Sequence, residues 1–415
     1  MTIGKDKEMK GYSLNKDQLI TLPGFGEVKQ TQFAGYVPIT GDVYPSNNCK
    51  KNESLFYWFV GTQDYANSPT IIWTNGGPGS SSFWGFFLEN GPYEITSASK
   101  PELKEREQGW NNHANYMIFE HPLSVMLSFD VDENDIPATV EEGIQQYYQA
   151  LINFIELHPE IANNPIILVG ESYAGTYLPL LSKAILDGNE KNNGTKLDLK
   201  ATVLLDAWVD PYTQMGQDSN YAYMRGMISA KEKQHLDDKF QYNLPAINDA
   251  IQRVSGLYMT NVAQLADPAF SPIMEYLNRP DVRAAIHVDS TKPLTSSWSE
   301  AVSNNYKFGV NDSYVHVVEE LLRRNLQILV ISGLNDAKDC NFLGTEKWLE
   351  GLQGEAAEKF HETSTQQWRL NSGMPVLGYI QDGGLLSWTK VLNAGHMAVR
   401  DQPAIINLLK KLIGF

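Results

Sequence analysis

The segment IILVGESYAGTYLP, Ile166–Pro179, constrains the fold more than any other part of the sequence. Its four leading apolar residues are typical of a buried strand. Glu171 and Ser172 come at the end of that strand, and the small residues Ala174 and Gly175 follow. Small residues here favour a sharp turn from strand to helix, which would expose a serine hydroxyl at the edge of the core.

Runs of aromatic and β-branched residues predict further strands, and helical periodicity predicts helices between them. The predicted strands are Ser54–Val60, Thr70–Thr74, Tyr116–Glu120, Ala201–Asp206, Leu326–Ser332, Met374–Ile380 and Leu386–Leu392, and the predicted helices are Val140–Leu157, one after Gly175, Asn341–Leu352 and Pro403–Ile413. This alternation predicts an α/β fold with a mainly parallel sheet covered by helices on both faces.

The pattern changes between residues 211 and 299, where strand-like runs disappear and polar helical segments take over. We predict that residues 211–299 form an inserted helical cap. The catalytic core would then consist of residues 1–210 and 300–415. A core interrupted once fits one catalytic domain better than two independent domains.

Charge and composition exclude several classes of function. The net charge of -16 argues against a nucleic-acid partner, because phosphate backbones need a basic surface. The longest apolar runs are far shorter than a membrane span. The first residues carry no apolar stretch of a secretory signal, so we expect a cytoplasmic protein or one whose signal was removed. Cys49 and Cys340 could form one disulfide or remain two free thiols.

Three residues, in order along the chain, suggest nucleophilic catalysis. Asp336 follows a predicted strand in VISGLNDAKDC, and His396 follows another in LNAGHMAVRDQP. Ser172, then Asp336, then His396 is the order of nucleophile, orienting acid and base in α/β-hydrolases. The N–H of Tyr173 would face the developing oxyanion. Each residue alone also fits polar surface, and Ser172 also fits an ordinary helix N-cap.

A glycine-rich loop follows an early strand in WTNGGPGSSS, Trp73–Ser82. Glycines let a backbone approach a ligand closely and expose its N–H groups. A second oxyanion donor commonly comes from such a loop. A phosphate loop is the competing interpretation, but the segment lacks both the Walker lysine and a G-x-G-x-x-G pattern. A plain structural turn is the remaining alternative.

These segments together resemble the serine carboxypeptidase family, peptidase family S10. GESYAGTYLP and NGGPGSSS carry the resemblance most specifically, and FLENGP, YLNRPDVRAAIHV and GHMAVRDQP extend it in the same order over nearly the whole chain. The resemblance implies an α/β-hydrolase fold and an enzyme that releases C-terminal residues of peptides through an acyl-enzyme. It also assigns the oxyanion donors to the backbone N–H groups of Gly77 and Tyr173.

The resemblance also explains a glutamate directly before the serine. It implies that Glu171, Asn75 and Glu89 bind the C-terminal carboxylate of the substrate. Two close carboxyl groups tend to share a proton, which can hydrogen-bond a substrate carboxylate, so we expect activity to favour acid pH. The positions of Trp84, Leu88 and Met397 match those that line the leaving-residue pocket in the family. Trp84 would narrow that pocket or pack into the core.

The chain departs from the family at several places. The family's cysteine after G-G-P-G, which forms a disulfide, is Ser80 here. The loop that carries Asp336, GLNDAKDCNFLG and here called the aspartate loop, has one residue more than the family's pattern, so Asp339 is an alternative to Asp336. Cys340 falls where the family keeps an unpaired cysteine near the site, a thiol that mercurials would attack. The family's G-N-G is DAW here, Asp206–Trp208.

Two alternatives to a peptidase remain on the same scaffold. An acyltransferase would use the same serine and histidine, and a binding homologue would keep the fold without catalysis. The eight histidines form no metal-binding pattern, and no cofactor motif is present, so we expect neither a metal nor a cofactor. Many relatives are dimers, so a homodimer is possible.

Overall fold

The computed structural model describes residues 16–96, 101–130, 132–191, 194–240, 250–251, 253, 260–264, 268–307, 309–337 and 340–415. Its strands are β1 (Thr21–Leu22), β2 (Gly26–Glu27), β3 (Gln32–Pro38), β4 (Ser54–Val60), β5 (Thr70–Thr74), β6 (Tyr93–Ile95), β7 (Leu103–Glu105), β8 (Asn115–Phe119), β9 (Ile166–Glu171), β10 (Leu199–Leu205), β11 (Gln327–Gly333), β12 (Gln366–Trp368), β13 (Gly378–Asp382) and β14 (Leu386–Val391).

The described α-helices are α1 (Val140–Leu157), α2 (Ala174–Lys191), α3 (Pro211–Met215), α4 (Asp218–Met224), α5 (Ala230–Phe240), α6 (Ser271–Leu277), α7 (Pro280–Ala285), α8 (Glu300–Tyr306), α9 (Val315–Arg323), α10 (Phe342–Gly351), α11 (Glu355–His361), α12 (Ala398–Asp401) and α13 (Ile405–Leu409). A π-helical turn, Gly85–Glu89, follows the glycine-rich loop.

One ten-stranded sheet organises the protein, with the order β12-β13-β14-β11-β10-β9-β5-β8-β4-β3. Its six central strands, from β14 to β8, run parallel, whereas the strands at both edges pair antiparallel. Strands β5, β9 and β11 are almost wholly buried, as expected for parallel strands covered on both faces. The predicted mainly parallel α/β sheet is confirmed.

Most predicted elements are present, but the ends of some differ. Met374–Ile380 was predicted as a strand, and this is wrong in its first half, because β13 covers only Gly378–Asp382. The last helix is shorter than predicted, since α13 covers Ile405–Leu409 before a π-helical turn. Strand β3 was not predicted, because its glycine and proline resemble turn signals.

The described part of residues 211–299 contains five α-helices, α3 to α7, and no strand of the sheet. A small apolar cluster, separate from the main core, joins part of this segment to Ala337: its buried members are Tyr221, Ala222, Ile228, Leu236, Ile251 and Ala337. This cluster supports packing of the segment over the aspartate loop. The division into a cap, 211–299, and a core, 1–210 and 300–415, remains a prediction. No described helix is long and apolar enough to cross a membrane.

The carboxyl ends of the central strands bring the predicted site residues to one edge of the sheet. Thr74 pairs with Gly170, and Glu171 pairs with Leu205, so β5, β9 and β10 end side by side. Strands β11 and β14 continue the same edge. Ligand sites of open parallel sheets lie at this edge.

Candidate active site

Ser172 lies at a sharp turn between β9 and α2. Its φ is +64°, an unusual value for a residue with a side chain, and such strain is common at functional sites. The turn is close-packed, since a Cβ on Gly170 would lie 2.6 Å from the Cβ of Ala174. The Ser172 N–H donates to Leu205 O at 3.0 Å, which ties the turn to β10. The predicted strand–turn–helix around the serine is therefore present.

The glycine-rich loop packs directly on this turn. A Cβ on Gly76 would lie 2.2 Å from the backbone nitrogen of Tyr173, so no other residue type fits there without displacing the turn. Gly77 has a φ of +111°, which L-residues with side chains rarely adopt. The glycine-rich loop thus lies directly against the Tyr173 nitrogen, and Gly77 follows at the next position of the loop, as a second oxyanion donor would require.

Asp336 and His396 form a hydrogen-bonded pair. His396 Nδ1 lies 2.7 Å from Asp336 Oδ2, and the Asp336 side chain is fully buried. An ionised aspartate makes Nδ1 the protonated ring nitrogen, so Nε2 is left as the proton acceptor. This is the tautomer that a general base needs.

The loops that carry the pair are tied to each other and to Thr260, in the segment 211–299. A Cβ on Gly333 would lie 2.1 Å from the carbonyl oxygen of Gly395, so the loops after β11 and β14 touch. The Asn335 N–H donates to Ala394 O at 2.7 Å. On the other side the His396 N–H donates to Thr260 O at 2.7 Å. Backbone contacts from two directions therefore fix the position of the imidazole.

Two glutamates and an asparagine lie behind the serine. Asn75 Nδ2 donates to Glu171 Oε1 at 3.3 Å, and the Glu89 carboxyl lies beside both residues. The Glu89 carboxyl interacts directly with the Glu171 carboxyl and with Asn75, and both glutamate side chains are buried. Ionised carboxylates left in this state would be very costly, so the pair retains protons.

Burial raises the pKa of both glutamates. It raises the pKa of Glu89 to about 7. It also raises the pKa of Glu171 well above its usual range, and the nearby charge of Glu89 adds to the effect. At acid and neutral pH at least one proton therefore remains on the pair. The protonated carboxyl of the pair can donate a hydrogen bond to an anion that enters the site.

A cavity of about 330 Å³ opens over these groups. Ser172, His396, Asn75 and Glu171 line it. Glu89 and Asp336 are not among the described lining residues and reach the cavity only through their partners Glu171 and His396. Trp84 and Met397 line the same cavity, and Trp84 also packs on Phe270 with ring centroids 4.6 Å apart. Leu88, in contrast, packs against the main core and is not among the described residues that line the cavity.

Both cysteines are reduced thiols, so the possible disulfide between them is absent. The sulfur of Cys340 lies within 4.8 Å of ligand atoms of Asp336 and His396. A soft metal ion could bridge such a trio, but the 2.7 Å hydrogen bond already couples the aspartate and the histidine to each other. Asp339, the alternative to Asp336, lies outside the described residues.

The sequence reasoning missed Thr260 and Trp298 near the site, and it named Asp206 without giving it a role. Thr260 positions His396 through its carbonyl oxygen, a role that no side-chain pattern can reveal. Trp298 lines the cavity from a segment 126 residues away from Ser172 in sequence. Asp206 is fully buried at the end of β10, and its Oδ1 accepts from the Gly333 N–H at 2.8 Å. Burial and the charge of Asp336 raise the pKa of Asp206 well above its usual range.

The family model described as serine carboxypeptidase matches residues 23–268 and 257–414. A venom serine carboxypeptidase of Apis mellifera is 29% identical over 90% of this chain and 82% of its own length. Serine carboxypeptidase S10 family member 1 of Dictyostelium discoideum is 30% identical over 87% of this chain and 90% of its own length.

The crystal structure of a prohormone-processing carboxypeptidase from Saccharomyces cerevisiae, Kex1, superposes with a TM-score of 0.83. The alignment covers 97% of this chain and 96% of that one, at 22% sequence identity. At this identity the match establishes the fold alone, the α/β-hydrolase fold. With the family match over almost the whole sequence, the chain belongs to the serine carboxypeptidase family.

Proposed function

We propose that this enzyme, a serine-type carboxypeptidase, removes C-terminal residues from peptides with Ser172 as the nucleophile. Nε2 of His396 accepts the serine proton as Oγ attacks the scissile carbonyl. Asp336 holds the imidazole in the required tautomer and stabilises the imidazolium. His396 then passes the proton to the leaving amine, and the acyl-enzyme is hydrolysed when the same nitrogen deprotonates a water molecule.

The backbone N–H groups of Gly77 and Tyr173 stabilise the tetrahedral oxyanion. The approach of Gly76 to the Tyr173 nitrogen supports this assignment, because it sets the loop against the turn without a side chain between them. Such donors act in a site from which bulk water is excluded, where each typically contributes about 100-fold or more to the rate.

The shared proton of Glu89 and Glu171 makes the enzyme an exopeptidase. A protonated carboxyl, together with the amide of Asn75, donates to the C-terminal carboxylate of the substrate. As the pH rises through about 7, Glu89 ionises and the pair keeps only one proton, so the negative charge of Glu89 weakens binding of that carboxylate. Activity on peptides therefore favours acid pH. Trp84 and Met397 contact the side chain of the leaving residue.

One observation carries the proposal: the hydrogen-bonded Asn75–Glu171 pair and the Asp336–His396 pair open onto the same cavity as Ser172. A cavity with an acid pair beside a nucleophile favours peptide C-termini over neutral esters. This argues for hydrolysis of peptides ahead of acyl transfer.

Mass spectrometry of peptide digests tests the proposal. We expect residues to be released one at a time from the C-terminus, and no release from the same peptide with an amidated terminus. Ser172→Ala should abolish both cleavage and labelling by a fluorophosphonate. Release of internal fragments, or cleavage that persists in Ser172→Ala, would contradict the proposed mechanism.

A further inference from the structure

The outer half of the glycine-rich loop is tied to a distant segment by a short antiparallel bridge. Ser80 pairs with Trp298. The Ser81 N–H donates to Ser297 O at 2.9 Å, and the Ser299 N–H donates to Gly79 O at 2.8 Å. The two backbone hydrogen bonds flank the Ser80–Trp298 pair and hold residues 79–81 against residues 297–299.

The Trp298 side chain adds a third hydrogen bond to this bridge. Its indole N–H donates to the carbonyl oxygen of Pro78 at 2.6 Å. The ring also lies over Gly79, where an added Cβ would approach the indole nitrogen to 3.3 Å and Ser299 O to 2.9 Å. Residues 78, 79 and 81 are thus each held from the same segment.

Burial does not explain the tryptophan at this position. Trp298 is 48% exposed, although tryptophan is among the largest apolar side chains. One part of it lines the cavity over Ser172, and another lines a second cavity of about 220 Å³ bounded by Met126, Phe129 and Leu294. A half-exposed indole gives up apolar burial, whereas its N–H makes a short, defined contact with the loop.

We propose that Trp298 is a positioning residue for the glycine-rich loop. Its hydrogen bond to Pro78 and its backbone pairing with Ser80, together called the clasp, hold the loop and so fix the N–H of Gly77 toward the reacting carbonyl. The inference rests on the proposed oxyanion role of Gly77. Gly77 and Gly79, at φ values of +111° and +90°, have no side chains to anchor them, and ordering glycine is entropically expensive. The inner part of the loop is fixed by the contact between Gly76 and Tyr173, and the outer part is fixed by Trp298.

The geometry of the bridge suggests a covalent test. Ser80 lies directly opposite Trp298. Because backbone hydrogen bonds flank the pair rather than join it, the two residues form a non-hydrogen-bonded pair, whose Cα atoms are typically about 4.5 Å apart. That separation lies within the range that a disulfide spans. Hydrogen bonds here hold the loop without an oxidised cysteine.

Trp298→Phe tests the hydrogen bond of the indole N–H separately from the packing of the aromatic ring. It keeps an aromatic side chain over Gly79 but removes the indole N–H. We expect kcat to fall about tenfold with KM changed less than about twofold, because misplaced oxyanion donors affect the transition state more than substrate binding. A purely structural role would lower the melting temperature and leave kcat of the folded enzyme unchanged.

The double variant Ser80→Cys/Trp298→Cys tests the clasp directly. Oxidised glutathione should convert the two thiols to a disulfide and be reduced to two glutathione molecules, and mass spectrometry should verify the bond. We expect the reduced variant to be slow and the oxidised variant to recover kcat to within about threefold of wild type, since a covalent tie replaces the clasp. The two single cysteine variants and the wild type, treated identically, are the controls.

Two results would overturn the inference: full kcat in Trp298→Phe, or a verified disulfide that leaves kcat as low as in the reduced protein. Failure of the proposed function looks different. In that case the wild-type protein itself would release no C-terminal residue, or Ser172→Ala would retain the activity.

Discussion

The side-chain amide of Asn75 donates a hydrogen bond of 3.3 Å to Oε1 of Glu171, the residue directly before the proposed nucleophile. The orientation of the amide is fixed, because its Oδ1 accepts from Trp73 Nε1 at 2.7 Å and from the Gly85 N–H at 3.0 Å. The amide N–H group therefore faces the carboxyl pair. A single side chain thus joins the glycine-rich loop, the π-helical turn and the end of β9.

Asn75→Asp should separate the donor role of this side chain from its structural role. Aspartate keeps an acceptor for Trp73 and Gly85 but places an oxygen where the N–H faced Glu171. We expect kcat/KM for a peptide with a free C-terminus to fall at least about tenfold, because the hydrogen bond from the amide to the substrate carboxylate is lost. Hydrolysis of an ester substrate without a carboxylate, measured in parallel, should change much less. Equal losses on both substrates would contradict the carboxylate-binding role.

Gly76→Ala should damage catalysis through backbone contact alone. The added Cβ would lie 2.2 Å from the Tyr173 nitrogen and must displace the loop or the turn. We expect kcat to fall by about 100-fold or more, the usual cost of one lost oxyanion donor. Gly351→Ala is the matched control, since its Cβ would meet nothing within 4 Å. Steady-state kinetics of both variants check the expectation, and wild-type kcat in Gly76→Ala would refute it.

The three predicted catalytic residues share one property: each follows a strand of the parallel sheet. Ser172, Asp336 and His396 could be found this way because the strand ends converge at one edge. Trp298 and Thr260 could not, because they act through a backbone bridge and a carbonyl oxygen from a segment without strand or motif signals. Strand β13 was misplaced because an antiparallel strand that is partly exposed has no continuous apolar run.

Asp206→Asn should stabilise the protein relative to wild type, and this difference should grow as the pH rises. The folded-state pKa of Asp206 lies above 3.8, its ordinary value, so the folded state favours the neutral form. The neutral carboxyl therefore contributes stability that is fully present below pH 3.8. This contribution is lost as the pH rises toward the folded-state pKa of Asp206. Asparagine cannot ionise and can still accept from the Gly333 N–H.

Urea denaturation at about pH 4.5 and about pH 6.5 measures this effect. The free energy of unfolding of Asp206→Asn relative to wild type should increase with pH, by at most about 1.4 kcal/mol per pH unit. Asp42→Asn, at an exposed position, should show no such trend. A difference between Asp206→Asn and wild type that stays constant or shrinks with pH would contradict burial of a neutral carboxyl.

Cys340 should make the enzyme sensitive to mercurials. Its sulfur lies within 4.8 Å of ligand atoms of Asp336 and His396, so an attached mercurial would displace the catalytic pair. We expect loss of activity with wild type, protection in Cys340→Ser and undiminished sensitivity in Cys49→Ser. Residual activity after titration with p-hydroxymercuribenzoate distinguishes these outcomes. Inactivation of Cys340→Ser at the wild-type rate would place the reactive thiol elsewhere.

The pH dependence of kcat/KM on an N-blocked dipeptide tests the central claim most directly, namely that a proton shared by Glu89 and Glu171 holds the substrate carboxylate. Wild type and Glu89→Gln should be compared from about pH 4 to about pH 8, with a carboxylate-free ester to report the titration of His396. We expect peptide hydrolysis by wild type to fall as the pH rises through about 7, while Glu89→Gln, whose amide donates at every pH, shows a flatter decline. Identical profiles for the two proteins would contradict the shared proton.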